Sequence, residues 1–361
     1  ESAYELPHVT EETASLYEHA VRAIRRSMRF GVHGLPLIGS GDWNDGMNRV
    51  GHQGRGESVW LGFFLLQVLK EFGALANLHD DQHFASTCEQ EAQRLAECLD
   101  QYAWDGNWYL RAFFDDGTPL GSAQSAECQI DSIPQSWAVL GGVTDPARAR
   151  TAMQSVMERL VDDKHRLVRL LAPPFDTASL APGYIKGYLP GVRENGGQYT
   201  HAAVWAAMAF ATLKQGDTAW KVFQYLNPIR HGDNPEHIGT YRIEPYVLAA
   251  DLYAIKDHEG EGGWSWYTGS ASWLYQLLVD YLLGLQLETD VLSFRPLLPA
   301  GWNGFKLTYR YRNTFYHIQL RKVGDITSNT RRVLVDDNVQ QDRKIHLVDD
   351  RRRHNVIVEL G

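Results

Sequence analysis

The sequence is poor in cysteine and in positive charge. Its 361 residues include three cysteines, Cys88, Cys98 and Cys128, an odd number without a Cys-x-x-Cys spacing. Neither a disulfide framework nor a zinc knuckle is expected, and a reducing compartment fits this composition. Thirty-five lysines and arginines stand against 44 acidic residues, a net charge of −9. This balance argues against a nucleic-acid surface, because phosphate backbones are bound by clustered positive charge.

Long apolar runs are also missing. The longest uninterrupted one, Ala202 to Ala211, has ten residues, whereas a membrane-spanning helix needs about 20. No signal peptide is visible, so we expect a cytoplasmic location. The chain begins at Glu1 without a methionine, from which we expect a processed protein or a piece of a longer one.

Tryptophan, in contrast, is abundant: there are eleven, and ten of them lie between Trp43 and Trp273. Indole rings stack on flat apolar faces, and their N–H groups need a partner when buried. An acidic, tryptophan-rich protein therefore suggests a ligand with faces and hydroxyl groups, foremost a sugar. A large aromatic core explains the same count, and composition alone favours that explanation.

Periodicity predicts a mainly helical region followed by a small β region. Helical spacing predicts nine helices over about 11–29, 61–72, 83–101, 133–140, 146–162, 198–213, 217–225, 243–255 and 270–284. Thr10 is expected to cap the first helix, and the last is expected to be buried on most sides. From Lys306 onward, period-two alternation predicts a small antiparallel β-sandwich. We therefore expect a helical domain over 1–286 and a β domain over 287–361.

One loop has the composition that acid catalysis on a sugar needs. Glycines flank Asp42-Trp43-Asn44-Asp45 and permit sharp turns. An indole ring beside a carboxyl group offers a stacking face and lowers the local polarity, which favours a protonated acid. An ordinary Asx-rich turn or a calcium loop is the alternative, although the regular calcium-ligand spacing is absent.

Two further segments carry polar residues into helix starts. Arg193 to His201 precedes an apolar helix, and Gly262 to Ser270 leads into the last one. Backbone N–H groups at a helix start attract anions. A surface histidine or an ordinary Ser/Thr cap explains each segment alone. Together with the tryptophan-flanked acid, they suggest phosphate and sugar in one site.

These segments resemble glycoside hydrolase family 94, which includes cellobiose and chitobiose phosphorylases. The similar stretches are His33–Leu37, Gly41–Gly46, Arg193–His201 and Trp266–Ser270, while Met47–Gly51 and Gly54–Trp60 most resemble the C-terminal phosphorylase-like region of cyclic β-1,2-glucan synthases. The resemblance implies an (α/α)6 double-ring barrel followed by a β-sandwich. Nine helices are three short of the twelve that this barrel has, so the barrel is expected to be incomplete on its N-terminal side.

The resemblance also implies a role for particular residues. They are Asp45 as the general acid, Trp43, Glu194 and Gln198 as sugar-binding residues, and His201, Thr268 and Gly269 as phosphate-binding residues. No cofactor is implied besides inorganic phosphate as a co-substrate. No metal is indicated, because no cluster of His, Asp and Glu has ligand spacing.

The implied reaction is inverting phosphorolysis, in which phosphate replaces the basic carboxylate of an inverting hydrolase. A β-glucoside, here β-1,2-glucan, would give α-glucose 1-phosphate, and the reaction would control chain length in cyclic glucan synthesis. Asp42 and Glu244 remain possible second carboxylates, which leaves an inverting hydrolase open. A non-catalytic glucan-binding fragment is the third possibility. The expected partners are a β-linked glucooligosaccharide, phosphate, the missing N-terminal part of the same protein and a second copy in a homodimer. The cytoplasmic location expected above includes the cytoplasmic part of an inner-membrane protein.

Overall fold

The computed structural model describes residues 6–142, 145–266, 268–299, 301–323 and 329–361. The α-helices of this part of the chain are α1 Leu16–Ser27, α2 Val59–Leu78, α3 Gln82–Tyr102, α4 Ser132–Leu140, α5 Pro146–Arg159, α6 Thr200–Thr212, α7 Gly216–Leu226, α8 Pro228–His231, α9 Pro235–Tyr241 and α10 Ser270–Gln276. Short 3-10 turns lie at Asp45–Met47 and Tyr184–Gly187, and a π-helical turn, Leu277–Leu282, follows α10.

Alternate helices form an inner layer. Helix α2 contacts α4, α4 contacts α6, and α6 contacts α10. Each of α2, α4 and α6 also packs against the next helix in the chain, α3, α5 and α7 respectively. Three consecutive helical hairpins therefore stand side by side. This order is consistent with part of an (α/α)6 barrel, and the described residues do not close a ring of six hairpins.

Two helix predictions are wrong in detail. Helix α1 is capped by Ser15 rather than Thr10, because the Ser15 hydroxyl accepts the Glu18 N–H at 3.1 Å. The helix predicted over 243–255 does not form. Arg242 in the left-handed conformation ends α9 with φ 58°, and Asp251–Leu252 form a strand that pairs with Gln198–Tyr199. Strand pairing therefore overrides the helix-like apolar spacing of this segment.

Helix α2 has 20 residues and a mean hydropathy of 1.5, so by length and composition alone it could cross a membrane. The ten-residue limit on apolar runs led us to expect no helix of this kind, and this expectation is wrong for α2. The helix packs on α3 and α4, and its Val59, Phe63 and Leu66 are fully buried in the apolar core. Packing between two helices is a sufficient explanation of its apolar composition.

The last helix is less buried than its apolar sequence predicts. Tyr275 is 68% exposed, and Trp273, Leu274 and Leu278 are only partly buried against the core. Helix α6 packs on α10, and α6 and α7 pack on the following π-helical turn. An apolar face of this helix is therefore left uncovered by the described residues.

The strands of the described residues are short before residue 284 and longer after it. They are β1 Glu57–Ser58, β2 Ala112–Phe113, β3 Pro119–Leu120, β4 Ile130–Asp131, β5 Val161–Asp162, β6 Leu167–Val168, β7 Leu171–Ala172, β8 Gln198–Tyr199, β9 Asp251–Leu252, β10 Leu285–Glu288, β11 Val291–Phe294, β12 Gly304–Tyr311, β13 Thr314–Lys322, β14 Thr330–Val335, β15 Asn338–Gln340, β16 Ile345–His346 and β17 Arg353–Leu360.

Strands β10 to β17 form two sheets over one core. The smaller has the order β10-β11-β16 and the larger β12-β13-β17-β14-β15. Leu292 and Phe294 of the smaller sheet share an apolar cluster with Ile318 and Val358 of the larger. The predicted period-two alternation is confirmed in β13, where every second side chain is buried. The expectation of purely antiparallel pairing is wrong, because β13 and β17 are parallel, which the long connection between them permits.

Candidate active site

A buried ion network holds the loop that carries Asp45. The Arg111 guanidinium donates to the two oxygens of Asp42 at 2.6 and 2.7 Å and to Asp131 at 3.1 Å. All three side chains have 0% exposure. Asp42 in turn accepts the Asn44 N–H at 3.0 Å. The base of the loop is therefore fixed, while Asp45 itself is exposed.

The electrostatics of this network explain the role of Asp42. Burial acts to raise the pKa of Asp42, but the Arg111 guanidinium outweighs burial and lowers it below its ordinary value. Burial raises the pKa of Asp131 to about 6 in spite of the same guanidinium. Because both oxygens of Asp42 accept hydrogen bonds from Arg111, this carboxylate supports the loop and is not free to activate a water molecule.

A second segment packs against the Asp45 turn. Asn48 Oδ1 accepts the Tyr184 N–H at 3.1 Å, and a Cβ on Gly183, whose φ is 134°, would lie 2.2 Å from that same oxygen. Only glycine permits this approach. Burial raises the pKa of Tyr184, and the nearby Asp45 carboxyl group adds to that shift. The Tyr184 side chain therefore lies close enough to Asp45 to interact with it.

The Arg193–His201 segment brings a buried carboxylate to the same region. Asn195 fixes this segment, since its side chain accepts the Phe175 N–H at 2.7 Å and donates to the Phe175 carbonyl at 2.8 Å. Glu194 is 8% exposed, and its Oε2 lies 3.3 Å from Arg193 Nε. Burial raises the pKa of Glu194, and the negative charges of Asp45 and Asp251 add to that shift. Asp45 is thus close enough to influence Glu194 electrostatically.

Arg193 is held between two aromatic rings. Its guanidinium carbon lies 4.9 Å from the centroid of the Tyr188 ring and 4.8 Å from that of Trp264. Cation–π contacts of this kind orient a guanidinium group without using its N–H donors. Arg193 also lines the cavity, and its Nε lies 3.3 Å from the Glu194 carboxylate.

His201 presents a hydrogen-bond donor. Trp43 Nε1, which can only donate, lies 3.4 Å from His201 Nδ1, so Nδ1 accepts and the proton resides on Nε2. Burial lowers the pKa of His201 to about 4, which keeps the ring neutral at pH 7. Its Nε2 is buried and has no hydrogen-bond partner among the described residues. A buried donor of this kind is suited to an acceptor supplied by a ligand.

Thr268 and Gly269 lie across the same cavity. Thr268 Oγ1 accepts the Ser270 N–H at 3.0 Å and donates to Ser270 Oγ at 2.6 Å. A Cβ on Gly269 would meet no atom within 4 Å, so its backbone faces open space. The cavity has a volume of about 580 Å³ and is lined by Arg193, Tyr199, His201, Ala250, Asp251, Trp264, Trp266, Thr268, Gly269 and Ser270. Tyr267, part of the same sequence segment, lies outside the described residues.

Three of the seven predicted site residues, His201, Thr268 and Gly269, line the cavity. Asp45 and Glu194 are not among its lining residues but lie near it, because Trp43 of the Asp45 loop contacts His201 and Glu194 pairs with the lining residue Arg193. Gln198, predicted to bind sugar, is 1% exposed, accepts the Val168 N–H at 2.8 Å and donates to Thr200 Oγ1 at 3.3 Å. Its polar atoms are engaged within the protein, so the structure does not bring Gln198 to the cavity.

Other residues of the site were not predicted from the sequence. Asp251 lines the cavity, but it lies in the segment that was expected to be helical. Tyr184 lies in a segment in which no sequence motif indicated a site residue. Glu244, a candidate second carboxylate, is partly buried and accepts hydrogen bonds from Ser265 at 3.1 Å and Trp266 Nε1 at 2.9 Å. No group of three or more His, Cys, Asp or Glu residues within the described ranges could hold a metal ion.

Both explanations of the tryptophan content apply, to different residues. Trp60, Trp137 and Trp205 are buried and contact one another in the helical core. Trp264 and Trp266 are 51% and 69% exposed and line the cavity. Exposed indole faces beside buried carboxylates are typical of sugar-binding sites.

Comparison with known proteins places this helical region and its cavity in a family. The chain belongs to the glycosyl hydrolase 94 superfamily, whose catalytic domain matches residues 2–284. The cyclic beta-(1,2)-glucan synthase NdvB of Rhizobium meliloti is 48% identical over 317 residues, which are 88% of this chain and 11% of the synthase. Solabiose phosphorylase of Paenibacillus borealis is 29% identical over 359 residues, 99% of this chain and 46% of that enzyme.

A solved structure supports the fold alone. A sialidase has a TM-score of 0.56 to this chain at 14% sequence identity, with 81% of this chain and 26% of the sialidase covered. The chain therefore spans less than half the length of each of these three proteins.

Proposed function

We propose that this chain is the catalytic region of an inverting glycoside phosphorylase. It cleaves β-glucosidic bonds with inorganic phosphate and releases α-glucose 1-phosphate. The observation that carries the proposal is one cavity lined by a free histidine donor, His201 Nε2, and by the open backbone at Gly269, with Asp45 on the neighbouring loop. The similarity to solabiose phosphorylase supports this type of reaction.

The substrate that fits the proposal is a β-1,2-linked glucan. Its support is the 48% identity to a cyclic beta-(1,2)-glucan synthase. In a protein of that kind, phosphorolysis would shorten growing chains and so control their length. We place the reaction in the cytoplasm, on the cytoplasmic part of an inner-membrane protein.

In the proposed reaction Asp45 is the general acid. A phosphate oxygen forms a bond to the anomeric carbon while the bond from that carbon to the glycosidic oxygen breaks. The electron pair of the broken bond stays on the glycosidic oxygen, which takes the Asp45 proton. Attack from the opposite face inverts the anomeric configuration, and Asp45 regains a proton from water.

Phosphate binding combines neutral donors with one guanidinium group. His201 Nε2–H points to an acceptor, and its pKa of about 4 keeps it in the same state across the neutral range. Thr268 and Gly269 lie on the same cavity wall. The Arg193 guanidinium, held between two rings, supplies the positive charge that an oxyanion needs.

An assay of phosphate dependence tests the proposal. The chain is incubated with short β-1,2- and β-1,4-glucooligosaccharides, with and without phosphate, and glucose 1-phosphate and glucose are quantified. We expect glucose 1-phosphate from the β-1,2 substrate only when phosphate is present, and its loss in Asp45→Asn. The matched control is Asp217→Asn, an exposed aspartate in α7, which should retain wild-type activity. Glucose release without phosphate would instead support an inverting hydrolase.

We further propose that the uncovered face of α10 packs against residues that precede this chain in a longer protein. Its support is the exposure of Tyr275 at 68% on a helix whose sequence is mostly apolar. Two quantities should be measured for the isolated chain and for a chain extended at its N-terminus: the phosphorolysis activity and the rate of amide hydrogen exchange in α10. The extended chain is expected to protect α10 and to be more active. Equal exchange in both chains would contradict this packing.

A further inference from the structure

Asp251 has a buried carboxylate oxygen that the fold does not use. The residue is 2% exposed and lies in β9 on the cavity wall. Its Oδ1 accepts the Trp264 N–H at 3.0 Å. Its Oδ2 has no hydrogen-bond partner among the described residues. A buried acceptor without a donor costs free energy, so a native protein that keeps one needs a reason for it.

The unsatisfied atoms of this region fall into two kinds. His201 Nε2 is a donor, whereas Asp251 Oδ2 and Glu194 Oε2 are acceptors without a hydrogen bond among the described residues, although Glu194 Oε2 also lies 3.3 Å from Arg193 Nε. A ligand that satisfies all of them must offer both acceptors and donors. Phosphate oxygens are acceptors and suit the histidine. Sugar hydroxyl groups are donors and suit the two carboxylates, which would repel a phosphate dianion.

The surroundings of Asp251 also fit a sugar. The Trp264 ring is half exposed and contacts Arg193. The residue before it is Gly263, and a Cβ atom at Gly263 would lie 2.4 Å from Asp251 Oδ1. The chain therefore holds an indole face and a buried carboxylate close together, and the space between them depends on a glycine. An aromatic face beside a hydrogen-bonding carboxylate matches the apolar face and the polar edge of a pyranose ring.

We propose that Asp251 is a sugar-binding residue, whose Oδ2 accepts a hydrogen bond from a glucan hydroxyl group beside Glu194. The proposal rests on the proposed function, because it takes the ligand of the cavity to be a β-glucan. It adds a residue that sequence reasoning did not include, and it assigns the carboxylates of the cavity to sugar and the histidine to phosphate.

A purely structural role makes a different prediction. If Asp251 served only to accept the Trp264 N–H, asparagine would do so equally well through its Oδ1. Asp251→Asn keeps the shape and that acceptor but turns the free acceptor into a donor. Because it also removes a buried charge, the variant should be at least as thermally stable as the parent protein.

The experiment measures sugar and phosphate binding separately. All variants carry Asp45→Asn, so that neither phosphorolysis nor hydrolysis consumes the ligand. Calorimetric titration with a β-1,2-glucooligosaccharide without phosphate, and separately with inorganic phosphate, compares Asp251→Asn with the exposed control Asp217→Asn. We expect at least about 10-fold weaker sugar binding, a phosphate affinity within about 3-fold of the control, and an unfolding temperature that does not fall.

Each other outcome overturns the proposal in a distinguishable way. Unchanged sugar affinity in Asp251→Asn, with sugar still bound by the Asp217→Asn control, refutes the role of Asp251 and leaves the proposed function intact. A loss of phosphate affinity with unchanged sugar affinity would mean that Asp251 belongs to the phosphate site, which contradicts its assignment to sugar. Equal loss of both ligands with a lower unfolding temperature indicates a structural residue. Absence of sugar binding in the control contradicts the proposed function itself.

Discussion

Replacement of Arg111 by methionine should destabilise the protein strongly, and more so as the pH rises. Arg111 is fully buried between Asp42 and Asp131, with hydrogen bonds of 2.6, 2.7 and 3.1 Å to their oxygens. Methionine fills much of the same volume but leaves two buried carboxylates without a cation. Removal of one partner from a buried ion pair costs about 3–5 kcal/mol.

The pH dependence follows from proton binding by the folded protein. Without Arg111, both carboxyl groups have folded-state pKa values raised above their unfolded values, because burial then acts unopposed. A raised carboxyl pKa gives stability that is complete below the unfolded pKa and is lost as the pH rises through the folded one. Asp131 already has a pKa of about 6 in the parent protein. The deficit of the variant should therefore be larger at pH 7.5 than at pH 5.

Urea denaturation at both pH values gives the free energy of unfolding. We expect Arg111→Met to lose about 3–5 kcal/mol at pH 7.5 and distinctly less at pH 5. The control is Arg148→Met, which breaks a partly exposed ion pair with Asp100 and should cost less than about 1 kcal/mol. A loss at pH 7.5 that is no greater than in the control, or a deficit that does not shrink at pH 5, would refute this reasoning.

Three further substitutions probe the cavity. Gly263→Ala, whose Cβ would lie 2.4 Å from Asp251 Oδ1, should weaken sugar binding at least about 10-fold in calorimetry; unchanged affinity would contradict this placement. Gly269→Ala, with no atom within 4 Å of its Cβ, should keep its unfolding temperature but raise the KM for phosphate, and a lower unfolding temperature with an unchanged KM would argue against it. His201→Phe should raise the phosphate KM about 10-fold. It should also reduce the loss of thermal stability between pH 6.5 and 4, because burial lowers the pKa of His201 to about 4 and the unfolded chain takes up that proton first; His231 contributes to the remaining loss in the same way. An unchanged pH profile in His201→Phe would contradict the second expectation.

Local patterns predicted the parts of the fold that local forces determine. The apolar spacing over 61–72 gave helix α2, and the alternation over 315–321 gave strand β13. Strand β13 buries every second side chain, so its period is visible in the sequence, and α2 carries a long apolar run because it packs against both α3 and α4. The segment over 243–255 has similar spacing, but its Asp251 and Leu252 pair with β8. Such a long-range pairing is not encoded in the segment itself.

The site residues also divide into those that a local sequence motif indicates and those whose role depends on residues far away in the chain. The loop around Asp45 and the two polar segments could be recognised because their residues are adjacent in sequence. The supporting role of Asp42 could not be recognised from the sequence, because its partner Arg111 lies 69 residues away. The state of His201 depends on Trp43, 158 residues distant. The family resemblance implied that Gln198 binds sugar, but the Gln198 side chain accepts a hydrogen bond from the Val168 N–H instead.

The central claim is that phosphate, acting with one protein acid, is the nucleophile. Proton NMR during the reaction with a β-1,2-glucooligosaccharide and phosphate identifies the first product and its anomeric configuration. The account predicts α-glucose 1-phosphate, formed in equal amount to the bonds cleaved and absent in Asp45→Asn. Formation of β-glucose 1-phosphate, or of free glucose at a rate independent of phosphate, would contradict it.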